Sequence, residues 1–371
     1  MKIKIKKSDW LYVGFIILVI RYCLFTTQIA LNPIITDGMI IIGIICMLVK
    51  ISCTKYERNE WIFFVFMFML AALFLGLRGD ETFLILTIVT IAMKKSDIRS
   101  IVKCWTYCYI VLFAVIVISS IIVGQDVYTI GRYEGIKLID VKRYAFGFSH
   151  PNGVLAAFFR IICGIVYLDD NKNKKKLVML EIIALILYYY TKSRTGIVCI
   201  SIFLILCYVI QKMQGRLSEL RMQRILFWAE IVVILFDFIA VYTYGKSKII
   251  VALDYLLTGR FSLASRMMEY IPYSLFGTNM KMDQLPFSLD NSIWYVILIQ
   301  GIILFLILTF LYCWGISKFG KEKLYLEANI VFVYTMYSIC ENVYSFLFLN
   351  IGLILVCYYW SNGIKKRNAY R

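Results

Sequence analysis

Three short stretches hold the side chains able to do chemistry. The first, Val141-Lys-Arg-Tyr-Ala-Phe-Gly-Phe-Ser-His-Pro-Asn-Gly153, contains the only histidine of the chain, His150, and a nearby cation, Arg143. Histidine alone has an ordinary pKa near neutrality, so His150 is a candidate proton acceptor. With Pro151 suited to a first helical turn and Ser149 or His150 near the cap, the stretch also fits a plain helix start. The second stretch, Thr191-Lys-Ser-Arg-Thr-Gly196, puts Arg194 at the end of an apolar segment, where a guanidinium binds an anion or snorkels to lipid headgroups. The third runs from Gly245 to Asn291. Its apolar residues Ile250, Leu253, Leu257, Phe261, Ala264, Met268 and Ile271 recur three or four apart, as on one face of a helix lying along an interface. Arg260, Arg266 and Glu269 fall off that stripe, and Asp290 closes the stretch just before an apolar run. Such a loop either holds an anionic, lipid-linked substrate at the membrane surface or simply joins two spans. Asp290 is placed both as a proton acceptor at the mouth of a span and as a helix cap.

The elements that must position these groups follow from composition. Hydrophobic residues make up 61% of the 371, charged residues 17%, and mean hydropathy is +0.78, which implies an all-α polytopic membrane protein. The apolar runs predict about twelve spans, near 10–30, 34–49, 61–77, 82–93, 104–124, 147–168, 177–190, 196–210, 225–244, 291–314, 325–340 and 344–360. Residues 1–371 read as one transmembrane domain, with 245–290 as a long extracytoplasmic amphipathic loop within it. Alternate loops carry 26 Lys and Arg on one side against 12 on the other, which sets both termini in the cytoplasm and the long loop outside. The same rule accounts for the net charge of +17 without a nucleic-acid partner. Most of the eleven cysteines sit inside apolar runs, which argues against a disulfide framework or a zinc site. Arg21 and Arg160 fall within spans, where a charge costs roughly 2.5–3.5 kcal/mol on insertion scales.

Taken in order, these pieces resemble the Wzy-type O-antigen and capsular polysaccharide polymerases, to which the O-antigen ligases are related. The resemblance rests on Arg143 and His150-Pro-Asn152 before a middle span, and on Thr191-Lys-Ser-Arg194 two spans later. It continues with Gly259-Arg260, Arg266 spaced ten residues from Gly277, and Asp290-Asn291 before an apolar run containing Gly301. It implies a GT-C-like, metal- and cofactor-independent glycosyltransferase in the bacterial plasma membrane. Its substrates would be undecaprenyl-diphosphate-linked oligosaccharides on the outer leaflet, and the chain-length regulator and flippase of the same pathway would be its partners. The growing glycan would pass from one lipid carrier to the non-reducing end of the unit on another. Arg194 and Arg266, with Arg143 and Arg260 close to the pattern, would bind the leaving diphosphate, since guanidinium forks hold phosphate oxygens bidentately. At an effective dielectric near 20, one such contact at about 4 Å is worth on the order of 4 kcal/mol before desolvation. The ligases carry a histidine where this chain has Asp290-Asn291, which favours a polymerase and leaves the base open among Asp290, Glu269 and His150. A lipid-linked oligosaccharide transporter is the competing class; it would show two related halves, and no internal repeat is visible.

Overall fold

The computed structural model describes residues 9–124, 127–134, 137–213, 219–280 and 287–363. In chain order, the helices α1 (Asp9–Phe25), α2 (Pro33–Ser52), α3 (Arg58–Arg78), α4 (Thr82–Ala92) and α5 (Ile98–Val123) precede the strands β1 (Val127–Glu134) and β2 (Lys137–Tyr144). There follow α6 (Pro151–Leu168), α7 (Lys174–Thr191), α8 (Arg194–Met213), α9 (Glu219–Tyr242), α10 (Lys248–Leu256) and α11 (Arg260–Tyr270). The last are α12 (Ser292–Tyr295), which runs on as a π turn over Val296–Gln300, then α13 (Ile302–Lys321), α14 (Tyr325–Ser338) and α15 (Ile351–Asn362).

Among the described residues, seven helices are long and apolar enough to cross a membrane: α2, α3, α5, α6, α8, α13 and Arg221–Tyr242 within α9. These answer to seven of the twelve expected segments, so the chain is a mostly helical, polytopic membrane protein. The segments expected at 82–93 and 344–360 fold as the short apolar helices α4 and α15. The protein is not wholly α. The stretch between α5 and α6 forms an antiparallel hairpin, with Val127 opposite Tyr144 and Tyr128 opposite Arg143. Its runs of β-branched and aromatic residues suit strands.

The chain forms two compact units, one of Met1–Leu11, Met47–Ser96 and Met213–Arg371, the other of Tyr12–Cys46 and Asp97–Lys212. In the second unit α6 is the core, packed between α5 and α7 and buried along nearly its whole length. Gly164 lets α6 press on α5, because a Cβ there would meet the Thr106 hydroxyl at 2.1 Å. One end of this unit gathers Thr26, Gln28, Gly147 and Ser149 through backbone bonds, and the other gathers Arg99, Leu168 and Asp170.

In the first unit α9 and α13 form the main pair, joined by α14, with α15 and α4 alongside. Lys94 binds Glu60 and the Lys95 amide donates to Asn362 at one end, while Arg78, Asp80 and Gln300 join at the other. The basic flank through Lys7, and Lys281, expected outside, lie beyond the described residues.

The span expected over 291–314 is broken at Gly301. The π turn ends there with φ +98°, and the helix restarts as α13. Such a break leaves backbone groups without partners inside the helix. The loop between α11 and α12 supplies partners there: the Ile302 and Ile303 amides donate to the Ser274 and Leu275 carbonyls at 3.1 Å, and the Thr278 amide donates to the Ile299 carbonyl at 3.0 Å. The other expected span near 344–360 begins as irregular buried backbone. Asn350 then caps α15, accepting from the Leu353 amide at 3.1 Å while donating to Tyr312 Oη at 2.8 Å.

Candidate functional site

The long loop is not one amphipathic helix but two, α10 and α11, meeting at a corner where Thr258 and Gly259 take φ of +60° and +85°. Residues expected on one continuous stripe still turn inward: Ile250, Phe261, Ala264 and Ile271 are buried, with Leu253, Leu257 and Met268 at the margin and Met267 taking the innermost place. Asp254 fastens the corner. Its Oδ1 accepts from the Phe261 and Ser262 amides at 2.7 and 3.2 Å, meeting donors that the first turn of α11 would otherwise leave open.

Arg260 falls off the apolar stripe in the sequence, as Arg266 and Glu269 do. It is nevertheless 6% exposed, because two carboxylates receive it: Nη1 pairs with Asp290 Oδ2, and Nη2 lies 3.9 Å from Glu341. Burial works against its charge, but Asp290 and then Glu341 outweigh that effect and hold its pKa above the ordinary value. Asp290 keeps 34% of its side chain exposed, so one carboxylate face remains open while Oδ2 is engaged. The helix cap is the next residue. Asn291 Oδ1 accepts from the Trp294 amide at 3.3 Å, and its Nδ2 donates to Asp237 of α9 at 2.7 Å.

Two glycines of the resemblance also meet in this unit. A Cβ on Gly277 would lie 2.2 Å from the Ile299 carbonyl oxygen, and one on Gly301 would lie 2.5 Å from the Gly277 amide nitrogen. The loop is thus held at two places: Arg260 meets Asp290, just before α12, and also Glu341, while Gly277 meets Gly301 at the helix break after α12. On α11, Arg266 and Glu269 are exposed, the arginine presenting a cation to whatever approaches the loop.

No family model, curated protein or solved structure matches the chain.

In the other unit, His150 is the N-cap of α6: its Nδ1 accepts from the Asn152 amide at 3.2 Å, with Pro151 at the first turn. Arg143 of β2 is buried and works as a tie. Its Nε donates to the Thr191 carbonyl at 2.8 Å and its Nη2 to Asn152 Oδ1 at 2.6 Å, joining the hairpin, the start of α6 and the end of α7. Arg194 opens α8, half-buried, after Lys192 turns the chain at φ +50°. Arg160 is buried within α6 beside the ring of Tyr109, 5.6 Å from its centroid.

Removing the cap by His150→Ala is expected to cost about 1 kcal/mol, and His150→Asn to restore it. Thermal unfolding of the two variants checks the cap, and the activity of a stable His150→Asn protein tells cap from base.

Sequence reading missed Asp237, Glu341 and Asp254. Asp237 had a visible signal, a carboxylate in the middle of Leu235-Phe-Asp-Phe-Ile239, since an ionisable residue inside an apolar span is seldom placed there without a role. Glu341 and Asp254 had none, because their roles come from tertiary contacts.

Proposed function

We propose that the chain is a metal-independent membrane glycosyltransferase of the Wzy polymerase type, crossing the bacterial plasma membrane about twelve times with both termini in the cytoplasm. It extends glycans on undecaprenyl diphosphate at the outer leaflet. The observation that carries this reading is the docked loop itself, which holds the motif residues Arg260 against Asp290 on one side of α12 and Gly277 against Gly301 on the other.

In this mechanism the acceptor hydroxyl attacks the anomeric carbon of the donor glycan. The bond to the diphosphate oxygen breaks, undecaprenyl diphosphate departs with the bonding electrons, and the hydroxyl proton passes to a base. Asp290 leads the candidates within its unit because its carboxylate is held in place by Arg260 and part exposed; Glu269, exposed on α11, follows. Arg260 is the positioning group for Asp290. Each unit offers its own candidate for the diphosphate, Arg266 in one and Arg194 in the other, since neither is committed to a buried pair in the way Arg260 and Arg143 are.

If Arg266 binds phosphate as a fork, Arg266→Lys is expected to lose at least tenfold in polymerisation, nearly as much as Arg266→Ala, because an ammonium keeps the charge but not the paired donors. Arg194→Lys should behave alike, and Arg221→Lys serves as the control. Polymerisation of purified lipid-linked units reads the effect, and near-normal rates for both variants would leave these charges as lipid anchors.

A transporter reading is favoured by one observation, the helix broken at Gly301 with the buried Asp237 beside its start, since interrupted helices often hold transported ions and solutes. Cells lacking the protein separate the two. Single lipid-linked units accumulating on the outer face mean a polymerase; units retained inside mean a transporter.

A further inference from the structure

Helix α9 carries two carboxylates, Glu230 and Asp237, both 0% exposed. Seven residues, or two turns, separate them, so they share one face roughly 10 Å apart along the axis. Each has a single hydrogen-bond donor. Thr335 Oγ1 of α14 donates to Glu230 Oε1 at 2.6 Å, and Asn291 Nδ2 donates to Asp237 Oδ1 at 2.7 Å. Glu230 Oε2 and Asp237 Oδ2 meet no donor among the described residues, and the Trp294 indole N–H sits beside Asp237 without completing a bond.

Among the described residues the surroundings offer no compensating cation. Around Glu230 stand Thr335 of α14, Tyr312 and Cys313 of α13, and Tyr344, all neutral groups. Around Asp237 stand Asn291, Trp294 and Cys340. From α11, Arg260 is spent on Asp290 and Glu341, and Arg266 and Glu269 are exposed. Neither buried carboxylate has an ion-pair partner among the described residues.

An ionised carboxylate accepts on both oxygens, and burying it with one oxygen bare and no counter-charge is among the most expensive arrangements a protein can hold. A proton on the bare oxygen removes the charge at once. We infer that Glu230 and Asp237 are proton-binding sites, occupied at neutral pH, and that α9 holds a two-site proton store inside the membrane-spanning part of its unit. Asp237 joins this store to the docked loop, because its partner Asn291 caps α12 and follows Asp290 directly. The inference does not depend on the polymerase reading and stands equally for a transporter.

The test uses the intact purified protein in detergent. A hydrophobic carbodiimide, which couples to protonated carboxyls in apolar surroundings, is expected to modify Glu230 and Asp237 at neutral pH, read by peptide mass spectrometry, and to leave the ion-paired Asp290 unmodified. Infrared spectra should show a protonated-carboxyl carbonyl band that shifts in D2O and loses intensity in Glu230→Gln and in Asp237→Asn. These amides keep the accepting oxygen, and the carbodiimide experiment on the unaltered protein decides the matter if either variant fails to fold. Absence of modification at both residues, or protection of both by sodium against a choline control, would overturn the proposal, the second outcome in favour of a metal-cation site.

Discussion

Arg260→Ala is expected to abolish activity and loosen the long loop. The guanidinium is 7% exposed and faces two carboxylates, so truncation leaves Asp290 and Glu341 confronting each other with no cation between them. Breaking a buried pair by removing one partner typically costs about 3–5 kcal/mol, and the lower end applies because Asp290 is a third exposed. The loss falls on the seating of α11, which carries Arg266 and Glu269, and on the aim of Asp290 itself. Thermal unfolding and limited proteolysis between α11 and α12 should report the loosening, alongside activity. Arg260→Lys should recover part of the stability and little of the activity, because one ammonium cannot reach both carboxylates with the geometry of a fork. An Arg260→Ala protein with unchanged melting and activity would remove Arg260 from the site.

Gly277→Ala and Gly301→Ala are expected to be as damaging for a different reason. Both glycines hold positive φ, +87° and +98°, where a side chain costs about 1–2 kcal/mol. Both also face backbone at 2.2 and 2.5 Å, and backbone cannot rotate aside as a leucine can. Overpacking adds about 1–3 kcal/mol. The loop would have to lift from the helix break, exposing the Ile302 and Ile303 amides that Ser274 and Leu275 now serve. Gly76→Ala is the matched control: a Cβ there meets nothing within 4 Å, and the variant should melt at or slightly above the parent temperature. Comparable melting of all three variants would contradict the docked loop.

How far the sequence could be read is clearest at these residues. Hydropathy found the seven long helices because each is a continuous apolar run, and the Pro151 signal correctly began α6 with His150 as its cap. It could not find the break at Gly301. The residues on both sides are equally apolar, and a glycine within such a run reads as part of a single span. The same limit hid the irregular entry to α15, where Tyr344-Ser-Phe-Leu-Phe-Leu349 is hydrophobic whether helical or not. The burial of Arg260 was not legible because periodicity describes one helix surface and knows nothing of partners outside it; Asp290 and Glu341 come from distant parts of the chain. Asp290-Asn291 was legible as a pair, but the division of labour between them, ion pair for one and cap for the other, required the fold.

The most direct test of the polymerase reading is reconstitution of the purified protein in liposomes with undecaprenyl-diphosphate-linked repeat units and no other protein. The predicted result is glycans several repeats long on the carrier, free undecaprenyl diphosphate in step with each bond formed, and neither product from Asp290→Asn or Arg260→Ala. Units that cross the bilayer without being joined, or glycan growth that persists unchanged in both variants, would contradict it.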